Sequence, residues 1–356
     1  MKKVYINSIG SISAQKTFEN ASFLETIADY NDTVLPAIDP VYKDYIPPAA
    51  ARRMAKGIKM GVVASKIALA EANLENVDAV ITGTGMGCVV DSEKFVSAII
   101  DNNEEYLTPT SFIQSTHNTV GGQIALGLGC NGYNFTYVHA SISFESALLD
   151  AKMQLETEEA ENILVGGVDE LGAHTVKIHR LINHIKPEAV TSKTVLNSKT
   201  SGAVFSEGAN FFVLSNLRAA QTYAELLDVK MFNTLEIRTL SKAVLTFLQV
   251  NGLFISDVDL IILGNNGDVA YDTYYHELTD KVFAETPQAT YKQLSGEFHT
   301  ASSFGLWMAS KIMKSQSVPE AAQLNTIQTS EVNTILLYNQ YRGENHSLTL
   351  LRHVEV

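Results

Sequence analysis

Ser141 stands at a position in this 356-residue chain where a nucleophile could act. It follows a β-rich stretch, Phe135 to Val138. It precedes apolar residues at helical spacing, Phe144 to Ala151, so the pattern predicts a strand-to-helix turn. A side chain there lies at the positive end of the helix dipole, which stabilises an anionic group. A serine hydroxyl also needs a positioned base before it can attack a carbonyl carbon.

Two interpretations of Ser141 stay open at this stage. One is a nucleophile, and the other is a helix N-cap, because serine is favoured at that position for purely structural reasons. His139 lies two residues before Ser141. Neighbours around a turn seldom align as nucleophile and base, so we expect His139 to be structural.

The run from Asn134 to Ala151 resembles the nucleophile turn of the β-ketoacyl synthases, in which Ala-Cys-x-Ser precedes an alanine-rich helix. Ala140 and Ser143 match that pattern, and Ser141 replaces the cysteine. Further segments resemble family motifs in the expected order along most of the chain: Arg52 to Met54, Gly83 to Gly87, Leu164 to Asp169, Gly202 to Ala209 and Tyr341 to Asn345.

The resemblance also identifies the positions of two catalytic histidines. Asn266 replaces the first, in a run similar to Ala-His-Gly-Thr-x-Thr, and Asp268 and Ala270 replace the threonines that hold the pantetheine arm. His299 matches the second, in a run similar to Lys-x-x-x-Gly-His. Its spacing from Lys292 is two residues longer than in that pattern. One member of the Cys-His-His set therefore survives.

These replacements predict weak condensation chemistry. The resemblance implies that the two histidines donate hydrogen bonds to the malonyl thioester oxygen, an effect worth about 3 kcal/mol per donor. Asn266 can donate a hydrogen bond but cannot carry positive charge. We therefore place Ser141, Asn266 and His299 at the candidate catalytic site. The remaining predicted site residues, which we expect to bind substrate, are Lys292, Asp268 and Tyr341.

Structural alternatives exist for three of these residues. Asn266 in Asn-Asn-Gly could simply serve a turn, because asparagine and glycine favour turn conformations. Lys292 could be a solvated surface charge, and His299 could be a buried core histidine. No metal-type spacing of ligands and no cofactor motif occurs in the sequence, so we expect neither a metal nor a cofactor.

An internal duplication predicts the fold. His139 to Phe144 and His299 to Phe304 share the spacing His-x-x-x-Ser-Phe, and each precedes a helical pattern. The resemblance implies an α/β thiolase-like fold, with duplicated halves in an α-β-α-β-α layered sandwich. We predict halves at residues 1–217 and 218–356, with the boundary near a helical stretch from Arg218 to Leu227.

Composition limits the compartment and the partners. The net charge is −13, with 18% charged and 46% apolar residues, so nucleic acid is not an expected partner. The longest apolar runs are too short to span a membrane, and the start lacks a signal-peptide pattern. Cys88 and Cys130 are expected to be reduced in a cytoplasmic protein. Acyl carrier proteins are acidic, so electrostatics oppose their direct docking here.

Three functions remain open. The first is a non-condensing partner subunit, similar to the chain-length factors that pair with active ketosynthases. The second is a 3-oxoacyl-carrier-protein synthase or acyltransferase that uses Ser141, helped by His299. The third is an acyl-binding protein without chemistry. The resemblance further implies a homodimer or heterodimer, formed through the edge of the strand from Asn134 to Val138, with a carrier protein reached through the partner.

Overall fold

The structure, a computed structural model, describes residues 2–355. Its first half contains strands and helices in the order β1 (Tyr5–Ile12), β2 (Val34–Leu35), α1 (Pro48–Ala51), α2 (Lys56–Ala72), β3 (Ala79–Gly83), α3 (Val89–Asp101), α4 (Pro109–Ser115), α5 (Thr119–Leu128), β4 (Tyr133–Tyr137), α6 (Ser143–Glu156), β5 (Asn162–Asp169), α7 (Ala173–Leu181), β6 (Phe205–Ser206) and β7 (Gly208–Ser215). The second half contains β8 (Ala224–Thr234), α8 (Ile237–Val250), β9 (Leu260–Leu263), α9 (Thr273–Lys281), β10 (Gln288–Thr290), α10 (Lys292–Ser295), α11 (Ser302–Ser315), β11 (Thr334–Tyr341) and β12 (Glu344–Arg352).

The sheet topology repeats itself. The first half has the strand order β4-β3-β5-β7-β1, and the second has β10-β9-β11-β12-β8. Each half therefore places its own strands in the order 3-2-4-5-1. In each half the three strands at the outer end are parallel, and the fifth runs antiparallel to both neighbours. This confirms the duplication predicted from the sequence.

The two halves meet between β1 and β8. Only two residue pairs connect them there, Tyr5 with Glu225 and Ile6 with Ala224, which joins ten strands into one hydrogen-bonded sheet. The inner strands β3, β5, β7 and β9 are almost fully buried, because helices cover both faces of the sheet there.

The core divides into layers. One apolar cluster joins α2 and α5 to the first sheet half, and another joins α8 and α9 to the second. The largest cluster lies between the halves and contains α6 and α11. The result is the predicted α-β-α-β-α sandwich, with α6 and α11 as its central layer.

The sequence repeat marks equivalent places in the two halves. The run from His139 to Phe144 enters α6 after β4, and the run from His299 to Phe304 enters α11 after β10 and α10. Both helices belong to the central layer. The duplicated turn therefore places His139 and His299 at corresponding positions in the two halves, and Ser141 follows His139 by two residues.

One predicted element is wrong. The stretch from Arg218 to Leu227 is not helical, because Ala224 already begins β8, which pairs with β1 and β12. This segment is a strand because it pairs with β1 and β12, and the spacing of residues along the sequence does not predict such pairing. The boundary after residue 217 lies in the loop between β7 and β8 and stays a prediction.

Strand β4 lies at one end of the sheet. Its outward residues are exposed, including Tyr133 at 43% and Phe135 at 45%, and Val138 just beyond it is 41% exposed. Aromatic rings from Tyr133 to His139 follow one another at centroid distances of 4.9 to 6.0 Å. An open edge of this kind is a surface where another strand can pair. Within residues 2–355, no helix is both long and apolar enough to cross a membrane.

Candidate active site

Ser141 lies in a single 3₁₀ turn, Ala140–Ile142, that leads directly into α6. The residue is 1% exposed, and its Oγ has no hydrogen-bond partner among the described residues. Ala140 before it has φ +49°, a left-handed conformation that costs energy for a residue with a Cβ. The turn therefore holds the serine in place by backbone geometry. The helix-cap interpretation of Ser141 is wrong, since its hydroxyl caps nothing.

Ser143 and His139 stabilise this turn. The backbone N–H of His139 donates to Ser143 Oγ at 2.8 Å, and Ser143 Oγ donates to the Ala140 carbonyl at 2.7 Å. The Nδ1 atom of His139 lies 3.2 Å from Ser146 Oγ. This contact agrees with the structural role expected for His139. His139 makes no hydrogen bond to Ser141 Oγ.

Glu145 occupies the first turn of α6 and is 1% exposed. Its Oε1 accepts a hydrogen bond from Ser347 Oγ at 2.8 Å, and its Oε2 has no partner. Burial raises the pKa of this carboxyl above its usual range, although the nearby hydroxyl groups oppose the shift. Burial therefore favours the neutral form of this carboxyl.

His299 lies in the loop before α11, close to the end of β3. A Cβ on Gly85 would fall 2.2 Å from the imidazole, so only glycine fits at that position in the turn after β3. The ring centroid lies 5.3 Å from that of Tyr341, at the end of β11. The Nδ1 atom of His299 is buried without a partner. Both predicted site residues therefore belong to one pocket wall.

Glu297 connects two further site residues. Its Oε2 accepts hydrogen bonds from Asn266 Nδ2 at 2.7 Å and from Lys292 Nζ at 2.8 Å. The side chains of Lys292 and Glu297 are only 1% and 3% exposed. A buried ion pair of this kind is strongly destabilised when one partner is removed. The surface-charge alternative for Lys292 is therefore wrong.

Asn266 also shapes its own loop after β9. Its Oδ1 accepts from the Asp268 backbone N–H at 3.0 Å, and Gly267 between them has φ +80°. The turn interpretation of Asn266 is thus confirmed, together with its contact to Glu297. Burial raises the pKa of Asp272 to about 6, and that carboxyl accepts hydrogen bonds from the Asn266 and Gly267 backbone.

Asp268 is not free to contact a ligand. Its Oδ2 lies 3.3 Å from Arg342 Nη1, and the Arg342 guanidinium stacks over Tyr271 at 4.8 Å. Lys186 supports the loop from the other side, because its Nζ donates to the Gly267 carbonyl at 2.9 Å and to the Thr200 carbonyl at 3.1 Å. Charged side chains therefore fill the region next to the predicted substrate-binding positions.

The Asp169 carboxylate accepts hydrogen bonds from both halves at the site. Its Oδ1 accepts from Thr84 Oγ1, Gly85 N and Met86 N, at 3.0, 2.8 and 3.1 Å. Its Oδ2 accepts from the backbone N and the hydroxyl of Thr300, at 2.9 and 2.8 Å. The carboxylate thus fixes the turn after β3 against the residue that follows His299.

A small cavity of about 40 Å³ adjoins this cluster. Its walls include Glu297, His299 and Tyr341, together with three residues of α7, namely Thr175, Val176 and His179. Ser141 is not among its lining residues. Ligand pockets usually enclose about 300 to 1,000 Å³, so this space suits water and not an acyl chain.

Three residues near the cavity were not predicted from the sequence: His179, His184 and Glu297. Glu297 is the only charged residue between Gln293 and Phe304, which is a signal that the sequence does contain. The pair formed by His179 and His184 has no comparable signal, because the loop geometry alone brings their Nδ1 atoms to 3.1 Å. Burial, followed by nearby cationic or ionisable groups, lowers the pKa of His179 to about 4.

Five of the six predicted site residues form one connected cluster: Asn266, Asp268, Lys292, His299 and Tyr341. Ser141 lies apart from their hydrogen bonds. The cluster places one imidazole and one fixed amide near a small cavity. None of its members is hydrogen-bonded to Ser141 Oγ. Among the described residues, no group of His, Cys, Asp and Glu side chains is arranged to hold a metal ion.

Comparisons with known proteins identify the family and the fold. Residues 26–220 match the family described as "Beta-ketoacyl synthase, N-terminal domain". The chloroplastic 3-oxoacyl-[acyl-carrier-protein] synthase I of Arabidopsis thaliana is 24% identical over 189 residues, which cover 49% of this chain and 40% of that protein. The 3-oxoacyl-[acyl-carrier-protein] synthase 2 of Staphylococcus aureus strain N315 is 23% identical over 200 residues, 52% of this chain and 48% of that protein. The matched region therefore spans less than half of the length of these curated relatives.

Solved structures show the same fold over the whole chain. The ishigamide ketosynthase/chain length factor aligns with a TM-score of 0.84 at 17% identity, covering 99% of this chain and 100% of that chain. A ketosynthase in complex with its chain length factor from Xenorhabdus doucetiae aligns with a TM-score of 0.74 at 15% identity, covering 99% and 98%. At such identities the likeness concerns the fold. Because the family match covers residues 26–220, the chain belongs to the β-ketoacyl synthase family.

Proposed function

We propose that this chain is a non-condensing partner subunit of an active ketosynthase, similar to a chain-length factor, in fatty-acid or polyketide-type biosynthesis. One observation carries the proposal. The Oγ of Ser141, at the position of the family nucleophile, is buried and has no hydrogen-bond partner among residues 2–355. A serine hydroxyl without a base is a poor nucleophile at neutral pH.

The loss of a charged donor supports the same conclusion. Asn266 stands where the family resemblance places a histidine, and its Nδ2 donates to Glu297 Oε2 at 2.7 Å. One of its two amide hydrogens is therefore committed to a protein carboxylate. Stabilising an enolate oxygen requires donors aimed at the position where negative charge develops. In this arrangement at most one further hydrogen-bond donor, and a weak one, would help His299 to stabilise the enolate oxygen.

The side chains near the expected pantetheine position also argue against turnover. Asp268 pairs with Arg342, and Lys186 is bound to the carbonyls of Gly267 and Thr200. These contacts replace the small hydroxyl-bearing residues that the resemblance would place there. A carrier-bound substrate would have to displace a buried charge and its partner, which is costly. We therefore expect acyl carrier protein to be reached through the partner subunit.

A surface suited to a partner supports the assembly part of the proposal. Strand β4 exposes Phe135 and its neighbours at the sheet edge. Large exposed apolar residues continue on the adjacent helices, at Ile100, Phe112, Ile113 and Leu126, with exposures of 71%, 54%, 57% and 76%. Exposed apolar residues clustered on neighbouring elements are typical of interaction surfaces. We propose a heterodimer with an active ketosynthase in the cytoplasm, with a homodimer as the competing assembly.

A second candidate function is an acyltransferase or 3-oxoacyl-carrier-protein synthase that uses Ser141. Its specific support is the left-handed conformation of Ala140, since backbone strain often occurs beside reactive groups. The acyl-binding function without chemistry has less support. The cavity beside His299 measures only about 40 Å³.

The test uses the chain together with a ketosynthase that retains the full Cys-His-His set. We expect the ketosynthase to form product only, or much faster, when this chain is added. Ser141→Ala should support the same rate as the wild type. Ser310→Ala is the matched control, because it also removes a buried hydroxyl, on α11 and away from Ser141.

Two results would contradict the proposal. One is product formation by this chain alone. The other is a ketosynthase rate that does not respond to this chain even though the two proteins form a stable complex.

A further inference from the structure

Helix α7 covers the cavity beside His299 but is loosely attached to the molecule. None of its nine residues is buried. Thr175, Val176 and His179 face the cavity, whereas Ile178 and Leu181 are 56% and 76% exposed. Elements with few buried apolar contacts open at low free-energy cost. This helix is therefore the weakest wall of the site.

The first end of α7 is fixed by a carboxylate from another helix. Glu93 of α3 accepts hydrogen bonds from the backbone N–H groups of His174 at 3.1 Å and Thr175 at 2.7 Å. A negative charge at a helix N-terminus is favourable. Gly172 precedes this contact, and a Cβ there would fall 2.2 Å from Glu93 Oε1. This end is suited to act as a hinge.

The second end is held by a histidine pair. The Nδ1 atoms of His179 and His184 lie 3.1 Å apart, and the His179 ring packs on Phe205 with centroids 4.8 Å apart. One Nδ1 must donate and the other must accept, so at least one of the rings must be neutral. If both rings are protonated, two donors and two positive charges face each other. The contact can then no longer form.

We propose that α7 is a lid over the cavity, hinged at Gly172 and held shut by the hydrogen bond between His179 and His184, and that protonation of this pair releases it. The role of the lid at this site rests on the proposed function, because a closed cavity suits a subunit that does not bind substrate. The hydrogen bond between His179 and His184, which we call the latch, depends only on the contacts of α7.

The groups around the pair favour its neutral form. Charged and titratable residues facing it come from several elements: Asp169 and Glu170 at the end of β5, Asp268 after β9, Glu297 and His299 before α11, and Tyr341 and Arg342 at the end of β11. Asp169 and Glu297 are occupied by their own hydrogen-bond donors. Burial, followed by His299 and Arg342, therefore outweighs the remaining acidic groups.

The direction of the pH effect follows from these shifts. The pKa of His179 is about 4 with the lid closed, against an ordinary value of 6.5, and that of His184 is also lowered. The closed lid is therefore fully favoured above pH 6.5. It is progressively lost as the pH falls from 6.5 towards 4, because only the open form binds protons readily in that window.

Hydrogen exchange of the full chain, without partner or substrate, tests the lid. Labelling times at pH 7.5 and pH 5.0 are scaled so that the intrinsic exchange rates are equal. We expect the backbone exchange rate in residues 173–184 to rise about tenfold at pH 5.0. This factor is smaller than the pKa shift of His179 alone would give, because the ring is partly exposed to solvent. Exchange in β5, β7 and α11 should stay constant.

Variants of the latch make the test specific. His179→Phe keeps an aromatic contact with Phe205 but cannot titrate, so its exchange in residues 173–184 should not respond to pH. His184→Asn removes the hydrogen bond while His179 can still titrate, so exchange in residues 173–184 should already be faster than in the wild type at pH 7.5. His174→Asn changes an exposed histidine of the same helix that makes no side-chain contact in the pair, and it should retain the wild-type response.

Three results would contradict the lid proposal. They are a wild type whose exchange does not respond to pH, a pH response that persists in both latch variants, and an increase in exchange that extends equally to the central strands. These results are independent of catalysis. A chain that condensed substrates by itself would refute the proposed function and leave the exchange result standing.

Discussion

Asn266 donates from Nδ2 to Glu297 Oε2 at 2.7 Å, and this contact sets the character of the site. The same carboxylate oxygen accepts from Lys292 Nζ at 2.8 Å, almost fully out of solvent. The amide of Asn266, at the position where the family resemblance places a histidine, is therefore part of a buried polar network. A network of this type holds its members rigidly when every group has a partner.

The buried pair predicts a large effect on stability. Lys292→Met should lower the free energy of unfolding by about 3–5 kcal/mol, because Glu297 would be left as an uncompensated buried charge. Urea unfolding followed by circular dichroism measures the change. Lys281→Met is the matched control, since the Lys281 side chain is 67% exposed in its ion pair with Glu277. The midpoint of that variant should stay near the wild-type value, and equal losses in both variants would contradict the argument.

The exposed edge of β4 predicts the assembly surface. Phe135→Lys should weaken self-association, or association with a ketosynthase, by about 30-fold or more, because it places a charge at the centre of an apolar strand edge. Sedimentation velocity over a concentration series measures this. Val250→Lys changes a residue that is 78% exposed at the end of α8, in the other half, and should leave association unchanged. An assembly that survives Phe135→Lys must use another surface.

Glu145 predicts a pH-dependent stability. Burial raises its pKa in the folded protein, so the unfolded chain releases its proton first as the pH rises above 4.5. The folded state therefore loses stability as the pH climbs from 4.5 through the folded pKa. Glu145→Gln removes this loss. At pH 8 its free energy of unfolding should exceed that of the wild type by about 1–3 kcal/mol, so it should unfold at a higher temperature. The two proteins should differ little at pH 4.5.

Thermal unfolding at the two pH values checks the effect. Glu159→Gln, an exposed change just beyond the end of the same helix, is the control and should follow the wild type at both pH values. A Glu145→Gln variant that is less stable than the wild type at pH 8 would show that the carboxylate is ionised and well paired in the fold.

The sequence predicted the fold better than the site. The repeated His-x-x-x-Ser-Phe pattern and the glycine turns follow from local rules, since a strand that enters a helix needs small residues and a regular apolar spacing. Those rules correctly located β4, α6 and α11. They failed at Ala224, where pairing with strands that are distant in sequence produced a strand in place of a helix.

The contacts of the site depend on the same long-range geometry. The sequence identified Lys292 and Asn266, but nothing local shows that both donate to Glu297. The contact between His179 and His184 depends on how one loop folds back over α7. Residue types along the chain thus predict which groups are present, whereas tertiary packing decides which of them are already bonded to each other.

The most direct test of the central claim is intact-mass analysis of the chain alone, after incubation with acyl and malonyl carrier-protein substrates, together with a search for condensed product. We expect no acyl adduct and no product, because Ser141 Oγ has no base and Asn266 is bound to Glu297. An acyl adduct that disappears in Ser141→Ala, accompanied by turnover of the isolated protein, would contradict the account.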